Sequence, residues 1–408
     1  MESEILIVGA GIFGVSTAYH LAKRLPAPSS ITLLDRAPPP SGNAASTDIN
    51  KIIRADYSSP LYMNLAFEAI QAWLHDPLFA NAGVYHQTGW IAMGERGRDV
   101  VKRIRNNFQS SGRPDPTKDM TEEEVRQGWR GVLKEADFSP FESYYLNPQA
   151  GWADAGRALE IMANEAIRLG VQYKVGEARR LILGDGAIRG IETRAGELHV
   201  AKKVVLATGA WTSHLMSSLE DDLDLPVEAR IESQLTAAGV CVAHFQLSDE
   251  ELAIYNQLPV YVYGDEEYHP NEQWPLLFGS PEEDQKKIPE GLSRGFIDSI
   301  RGRLPQLFRN NRQVDYYRLC WDAITPQQHP LITAHPHPQL ANLYLAVGGS
   351  FHCWKFLPTI GRYVVNVLDG HTNGPDCDAA WSWKEAGRGR GVHDALIPQK
   401  ELRDYYQI

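Results

Sequence analysis

Gly9-Ala10-Gly11-Ile12-Phe13-Gly14 has the residue types and spacing that let a backbone hold a pyrophosphate. Gly9 permits a tight turn, Gly11 lets the main chain approach the phosphates, and Gly14 lets the following helix pack close to the preceding strand. A helix starting there presents free N–H groups and its positive dipole end to anionic oxygens. Asp35 stands 21 positions beyond Gly14, where a carboxylate can accept both hydrogen bonds of a ribose diol and disfavours a 2′-phosphate. The reading is an FAD or NAD site rather than an NADP site. A glycine-rich turn in an ordinary α/β core is the bland alternative, and strand, helix and acid at the right distances outweigh it.

The elements that must position this loop are legible around it. Ile5-Leu6-Ile7-Val8 reads as a strand buried on both faces, and 15–25 as a helix with Ala18, Leu21, Ala22 and Leu25 on one side. Ile31-Thr32-Leu33-Leu34 completes a βαβ unit, closed by the stiff loop 37–42. Helices are expected over 61–74, from a capped start at Thr121, over 157–169 and over 359–368. Gly184-Asp185-Gly186 marks a hairpin between 180–183 and 188–193. Buried strands are expected at 203–207 and 343–347, and strands of an antiparallel sheet at 258–263 and 274–278. Similar strand motifs near 5, 204 and 343 imply one nucleotide-binding domain assembled from separate segments, with a second domain inserted.

Composition narrows the class. A chain of 408 residues with 43% apolar and 22% charged residues is an ordinary globular protein, long enough for two joined domains. A net charge of -11 argues against a nucleic-acid partner. Four cysteines are too few and scattered for a disulfide framework. The start lacks a basic signal region, no apolar run is long enough to span a bilayer, and the end is not Ser-Lys-Leu. The expectation is a soluble cytoplasmic protein without a membrane partner.

Other segments point to a particular chemistry. Val204-Val205-Leu206-Ala207-Thr208-Gly209-Ala210-Trp211 resembles the second dinucleotide-contact strand of glutathione-reductase-like flavoproteins, which selects FAD over NAD. Asp48-Ile49-Asn50-Lys51-Ile52-Ile53-Arg54, Arg318-Leu319-Cys320-Trp321-Asp322 and the run from Gly348 through Gly349, Ser350, Phe351, His352, Cys353, Trp354 and Lys355 to Pro358 come in an order that resembles the monomeric sarcosine oxidase family. The similarity is strongest to its fungal branch of fructosyl amino acid oxidases (amadoriases), and it spans about residues 4–370.

The resemblance implies roles for individual residues. Cys320 matches the cysteine that tethers the flavin through an 8α-thioether; a small buried hydrophobe is its plain alternative. Lys355 and Arg54 match the pair that holds the substrate carboxylate, as a point charge and a planar fork. Lys51 and His352 lie close to the flavin, and with Arg54 and Lys355 they form the expected catalytic set. The implied FAD contacts are Gly9, Gly11, Ile12, Phe13, Gly14, Asp35, Arg36, Ser46, Thr47, Lys51, Gly209, Trp211, Cys320, Gly349, Ser350, Phe351, His352 and Lys355. Cys353 reads as packing. Tyr57, Tyr261, Tyr263 and Trp274 are candidates to line the substrate pocket beside Arg54 and Lys355.

One position departs from the family pattern. The family carries a lysine above the flavin in a strand of the form Lys-Leu-Gly, and the best match here, Leu276-Leu277-Phe278-Gly279, places Leu277 there. Oxygen activation would then fall to another cation such as Lys51, and the pocket would accept a bulkier, less polar substrate. His329, His335 and His337 read as a solvated loop rather than a metal site. The acidic runs 249–251 and 282–284 read as solvated faces.

The expected architecture is α/β plus α+β. A discontinuous Rossmann-like FAD-binding domain (1–60, 150–220, 320–370) carries an inserted antiparallel-sheet substrate domain (61–149, 221–319), and 371–408 forms a surface tail. The expected activity is oxidation of a secondary amine bearing a carboxylate, with hydride transfer to flavin, an imine or iminium product and reoxidation by O2 to hydrogen peroxide. N-methyl, fructosyl, saccharopine and pipecolate substrates all fit, with a bulky N-methyl amino acid preferred. An NAD-dependent dehydrogenase and a flavin carrier without turnover are the rivals. The resemblance implies a monomer.

Overall fold

The computed structural model describes residues 2–261, 276–277, 285, 288–385 and 400–401, with only the backbone of 276–277 and 400–401. Its central sheet has eight strands drawn from three separate stretches of chain. Ser3–Val8 lies between Leu198–Leu206 and Ile31–Asp35, parallel to both, and Leu343–Val347 and Gln172–Val175 extend the parallel part on the two sides. The strands are continuous runs of branched residues because helices cover both faces; Ile7, Leu33, Val205 and Leu206 have no exposed surface. The hairpin Ala178–Gly184 with Ala187–Thr193 forms as expected and joins the far end of Leu198–Leu206.

The helix after the glycine loop, Ile12–Arg24, packs on Ile360–Leu368. Ser16 Oγ donates to Leu357 O at 2.7 Å and accepts from Gly361 N at 2.9 Å, and a Cβ on Gly361 would lie 2.2 Å from Ser16 O. That contact sets the loop 348–356 beside the glycine loop, though more than 300 residues separate them. The helix Pro60–His75 contributes Tyr62, Met63, Ala66 and Trp73 to the same core as Ile12–Arg24, despite its expected place in the second domain.

A second sheet is built on the antiparallel pair Thr236–His244 and Tyr316–Ile324, with Cys320 opposite Val240 and Asp322 opposite Ala238. Leu276–Leu277 pairs with it at Leu277↔Ala238. The two strands expected to share one antiparallel sheet belong to different sheets. Val260–Tyr261 instead pairs parallel with Trp90–Ile91, in the sheet that also contains Phe141–Asn147 and Lys118–Met120. Alternation in sequence identifies a strand but carries no information on which edge the chain returns to.

One further expectation is corrected. The tail is not wholly superficial: Pro375–Trp381 is a helix, and Trp381, 1% exposed, meets Tyr363 edge-on at 5.3 Å. The acids 249–251 face solvent as expected, and they form the first turn of the helix Asp249–Tyr255, capped by Ser248, where they favour the helix dipole. The run 282–284 lies outside the described residues. The expected capping box at Thr121 and Glu124 is present. Among the described residues no helix is long and apolar enough to cross a membrane.

Candidate active site

The glycine loop sits at the carboxyl end of Ser3–Val8. Gly9 has φ 103°, and a Cβ there would lie 2.4 Å from Ala207 O, so the turn and its neighbouring strand both demand glycine. A Cβ on Gly14 would lie 1.8 Å from Gly9 O, which is the close helix packing expected of it. Asp35 Oδ2 accepts from Ala10 N at 2.7 Å and so faces the loop from the end of the second strand. The helix Ile12–Arg24 has no side-chain cap on Gly11; its Ile12 N–H donates to Ser46 Oγ at 3.0 Å. Arg36 stacks over the Trp211 ring at 4.6 Å, and Trp211 Nε1 is buried with no hydrogen-bond acceptor among the described residues.

The segment carrying Ser46 is clamped from outside. Arg318 donates to Ala44 O at 2.7 Å and to Thr47 O, Gln285 to Asn43 O at 2.8 Å, and Trp354 Nε1 to Ser46 O at 2.9 Å. Beneath this segment is the Cys320 thiol, 3% exposed, with Sγ 3.9 Å from Ala45 O. Burial raises its pKa, opposed by Lys51 and Arg318. Lys51 donates to Asp48 Oδ2 at 3.0 Å. Burial opposes the Lys51 charge, but Cys320 and Asp48 beside it hold its pKa above the ordinary lysine value.

A second group of cations lies further along. Arg54 is buried, stacked over Tyr57 at 4.7 Å and Trp90 at 4.9 Å. Close to it is Asp56, a buried carboxylate that accepts from Tyr145 Oη at 2.9 Å and Asn147 Nδ2 at 2.8 Å. Burial raises the Asp56 pKa and Arg54 opposes the rise. Lys355, 4% exposed, donates from Nζ to Tyr57 Oη at 2.7 Å and to His352 O at 2.8 Å. Burial, then Arg54, push the Lys355 pKa well below the ordinary value. His352 Nδ1 lies 3.1 Å from Tyr57 Oη and Nε2 lies 2.7 Å from Gln328 O, with burial lowering its pKa to about 3.

One cavity of about 850 Å³ joins these groups. Its lining runs from Gly9, Gly11, Asp35 and Arg36, past Ser46, Lys51 and Cys320, to Arg54, Tyr57, His352 and Lys355. It therefore combines a dinucleotide cradle with a cationic recess. A profile of families described as FAD dependent oxidoreductase matches residues 4–367.

The chain belongs to the FAD dependent oxidoreductase family. It is an FAD-dependent oxidoreductase, and the nicotinamide alternative falls with that membership. It is 27% identical to the L-saccharopine oxidase of Schizosaccharomyces pombe, over 94% of each chain. It is 28% identical to an amino acid oxidase of Aspergillus fumigatus, over 90% of this chain and 92% of the other. The crystal structure of the deglycating fructosamine oxidase from Aspergillus fumigatus (amadoriase II) superimposes with a TM-score of 0.80 at 27% identity, covering 98% and 93% of the two chains. The α/β architecture expected from sequence is thereby matched.

The residues of this FAD-dependent oxidoreductase fit the cofactor. The helix start at Gly11, which supplies no side-chain cap of its own, suits phosphates, Asp35 suits a ribose diol, and Trp211, whose indole N–H has no acceptor among the described residues, lines the same cavity. Ile12, Phe13, Gly209, Gly349, Ser350 and Phe351 line the cavity. Gly14 and Thr47 do not line it: Gly14 packs against Gly9 O, and the Thr47 hydroxyl is turned to Ser41 O at 2.7 Å. Tyr261 packs instead against the cluster of Ile91, Met93 and Phe138. For Leu277 the backbone register is described, opposite Ala238. Tyr263 and Trp274 lie outside the described residues.

Several side chains escaped sequence reasoning. Asp56 was visible only as the second residue after Arg54, and its partners Tyr145 and Asn147 are some 90 positions away. Asp322 is half-buried and accepts from Phe351 N and Ala323 N, each at 2.8 Å. It thereby holds the loop in which Ser350 and Phe351 take left-handed φ values of 48° and 63°. The three histidines are not a solvated loop. His329 lines the cavity, its ring 5.6 Å from Tyr62 and its Nδ1 2.7 Å from Tyr62 Oη. His335 is 6% exposed and meets Trp383, with burial lowering its pKa to about 4. Cys353 is buried as a packing residue and also touches the cavity, Sγ 3.9 Å from His352 Nε2.

Proposed function

We propose that this oxidoreductase oxidises the C–N bond of a secondary amine that carries a carboxylate, with an N-methyl amino acid bearing a bulky or aromatic group as the preferred substrate. The observation that carries the reading is the burial of Arg54 and Lys355 in one recess of the cavity that begins at the glycine loop. Two buried cationic groups beside a cofactor site fit one anionic group of the substrate. The Tyr57, Tyr62, His329 and His352 rings beside them suit an apolar or aromatic portion. The names of the relatives, oxidases of saccharopine and of amino acids, agree with the amine class.

The chemistry supplied by bound FAD is acceptance of a hydride from carbon beside nitrogen and return of the electrons to O2 as hydrogen peroxide. The chain supplies position. Arg54 and Lys355 hold the carboxylate and thereby fix the amine along the cavity; such orientation contributes several kcal/mol to the barrier in favourable cases, roughly 7 or more at the upper end. On this reading Cys320 tethers FAD covalently, and Lys51 beside it supplies positive charge for the reaction with oxygen. The cofactor-binding part comprises 1–60, 150–220 and 320–370, and the substrate part 61–149 and 221–319, of which the helix Pro60–His75 packs into the cofactor-binding core. We take the protein to act as a monomer.

A second reading, an amine with a further carboxylate as in saccharopine, is favoured by Arg103 on the cavity wall, where it pairs with Asp99 at 3.2 Å and would have to exchange that partner. The purified protein should show a flavin spectrum that bleaches anaerobically on adding N-methylated aromatic amino acids. Faster bleaching by saccharopine or fructosyl-valine would replace the preferred substrate. No bleaching by any secondary amino acid would leave a flavin carrier without this activity.

A further inference from the structure

The hydrogens around Lys355 run in a fixed direction. Gln328 O can only accept, so His352 Nε2, 2.7 Å away, carries the ring hydrogen, and His352 Nδ1 presents a lone pair. Tyr57 Oη, 3.1 Å from that nitrogen, donates to it. The Tyr57 oxygen is then an acceptor for Lys355 Nζ at 2.7 Å, and His352 O is a second acceptor at 2.8 Å. An amine carrying two hydrogens commits both to these acceptors. Its fourth valence, a lone pair, remains, and Lys355 lines the cavity.

Among the described residues, the surrounding charges leave Lys355 short of a counter-ion. Arg54 is beside it, and Asp56, the carboxylate coupled to both, is bound by Tyr145 and Asn147. Among the described residues, Tyr57, His352 and Cys353 complete the titratable groups around it, none of them anionic at neutral pH. Burial and Arg54 disfavour the ammonium form until an anion arrives.

A secondary amino acid arrives as a zwitterion, and an ammonium nitrogen has no lone pair to assist loss of hydride from the adjacent carbon. On the reading of the site as one for such a substrate, we propose that Lys355 takes the proton that the substrate ammonium must lose, and in doing so becomes the cation that holds the substrate carboxylate. The proton balance closes within the complex. The substrate N–H bond breaks with its electron pair left on nitrogen, the lysine lone pair forms the new N–H bond, and no proton is exchanged with solvent. Tyr57 and His352 are positioning residues here, since their one-way hydrogen bonds keep the Lys355 lone pair free.

The test uses the FAD-loaded protein, reduced anaerobically so that no hydride can transfer, and titration calorimetry in two buffers of different ionisation enthalpy at pH 8. Two probes are compared: an N-methyl amino acid and its thioether isostere, which has the carboxylate but no amine proton. The thioether should take up about one proton from buffer, and its Kd should rise about tenfold per pH unit from pH 7.5 to 9. The N-methyl amino acid should exchange almost none. In Lys355→Arg, whose charge is permanent, thioether binding should lose both its proton uptake and its pH dependence. Equal proton counts for the two probes, or release of a proton to buffer by the amine, overturns the proposal while leaving the carboxylate–amine reading intact. Failure of both probes to bind overturns that reading and the proposal with it.

Discussion

Arg318 stands two residues before Cys320 on the same strand and donates to Ala44 O at 2.7 Å, tying the strand that carries the thiol to the segment that carries Ser46. Ser46 in turn accepts from Ile12 N at the start of the glycine-loop helix. The proposed tether and the phosphate cradle are therefore fixed relative to one another through one guanidinium.

Replacing Arg318 with Met keeps the bulk and removes those donors. Hydrogen bonds to a charged group contribute about 1.5–3 kcal/mol each, so the segment 41–47 should loosen. The fraction of flavin that stays with the acid-precipitated protein should fall several-fold, with FAD still bound before precipitation. In Cys320→Ala that fraction should be zero. An unchanged fraction in Arg318→Met means that the clamp does not position the thiol.

Gly9→Ala combines a φ of 103° with a Cβ 2.4 Å from Ala207 O. Backbone strain of this kind costs about 1–3 kcal/mol, before the displaced contact is counted. The variant should bind FAD at least tenfold more weakly in titrations of the apoprotein. Gly42→Ala, where a Cβ meets nothing within 4 Å, is the control and should match the parent.

Asp56→Asn removes the carboxylate coupled to Arg54 and leaves one of the donors Tyr145 or Asn147 with a poorer acceptor. Breaking a buried charge pair typically costs about 3–5 kcal/mol. Denaturant unfolding should show a loss of that order. A change under about 0.5 kcal/mol, within the ordinary range for a surface substitution, would mean that Asp56 is not part of a stabilising pair.

Acid should destabilise the protein well above the range of its carboxylates. Burial lowers His20 and His335 from 6.5 to about 4, and His352 from 6.5 to about 3. Between these values and pH 6.5 the unfolded chain binds protons that the folded chain refuses, so stability falls as pH falls. Each group contributes about 1.4 kcal/mol per pH unit across its window. Melting curves from pH 7 to 4.5 should show this slope, and His335→Phe, which keeps a ring against Trp383, should reduce it by about one proton. An identical slope in the variant would show that His335 is free to charge in the folded state.

Local chemistry made much of this protein readable in its sequence. The glycine spacing, the branched strand before it and Asp35 beyond it are all decided within about 30 residues, by sterics and hydrogen-bond geometry that a single βαβ unit carries. The Lys51, Arg54, Cys320 and Lys355 positions were legible as motifs, although the sequence does not contain the distances between them. Only the tertiary structure decided those. The packing of Gly361 on Ser16 sets the loop 348–356 beside the glycine loop, and the pairing of Tyr316–Ile324 with Thr236–His244 places Cys320 beneath Ala45. Asp56, Asp322 and the buried His335 were missed for the same reason. A polar residue becomes a buried, partnered group through contacts distant in sequence, and the pattern of its neighbours does not record them. The direction of the Lys355–Tyr57–His352 hydrogen bonds is decided by one carbonyl, Gln328, which the fold alone brings to that ring.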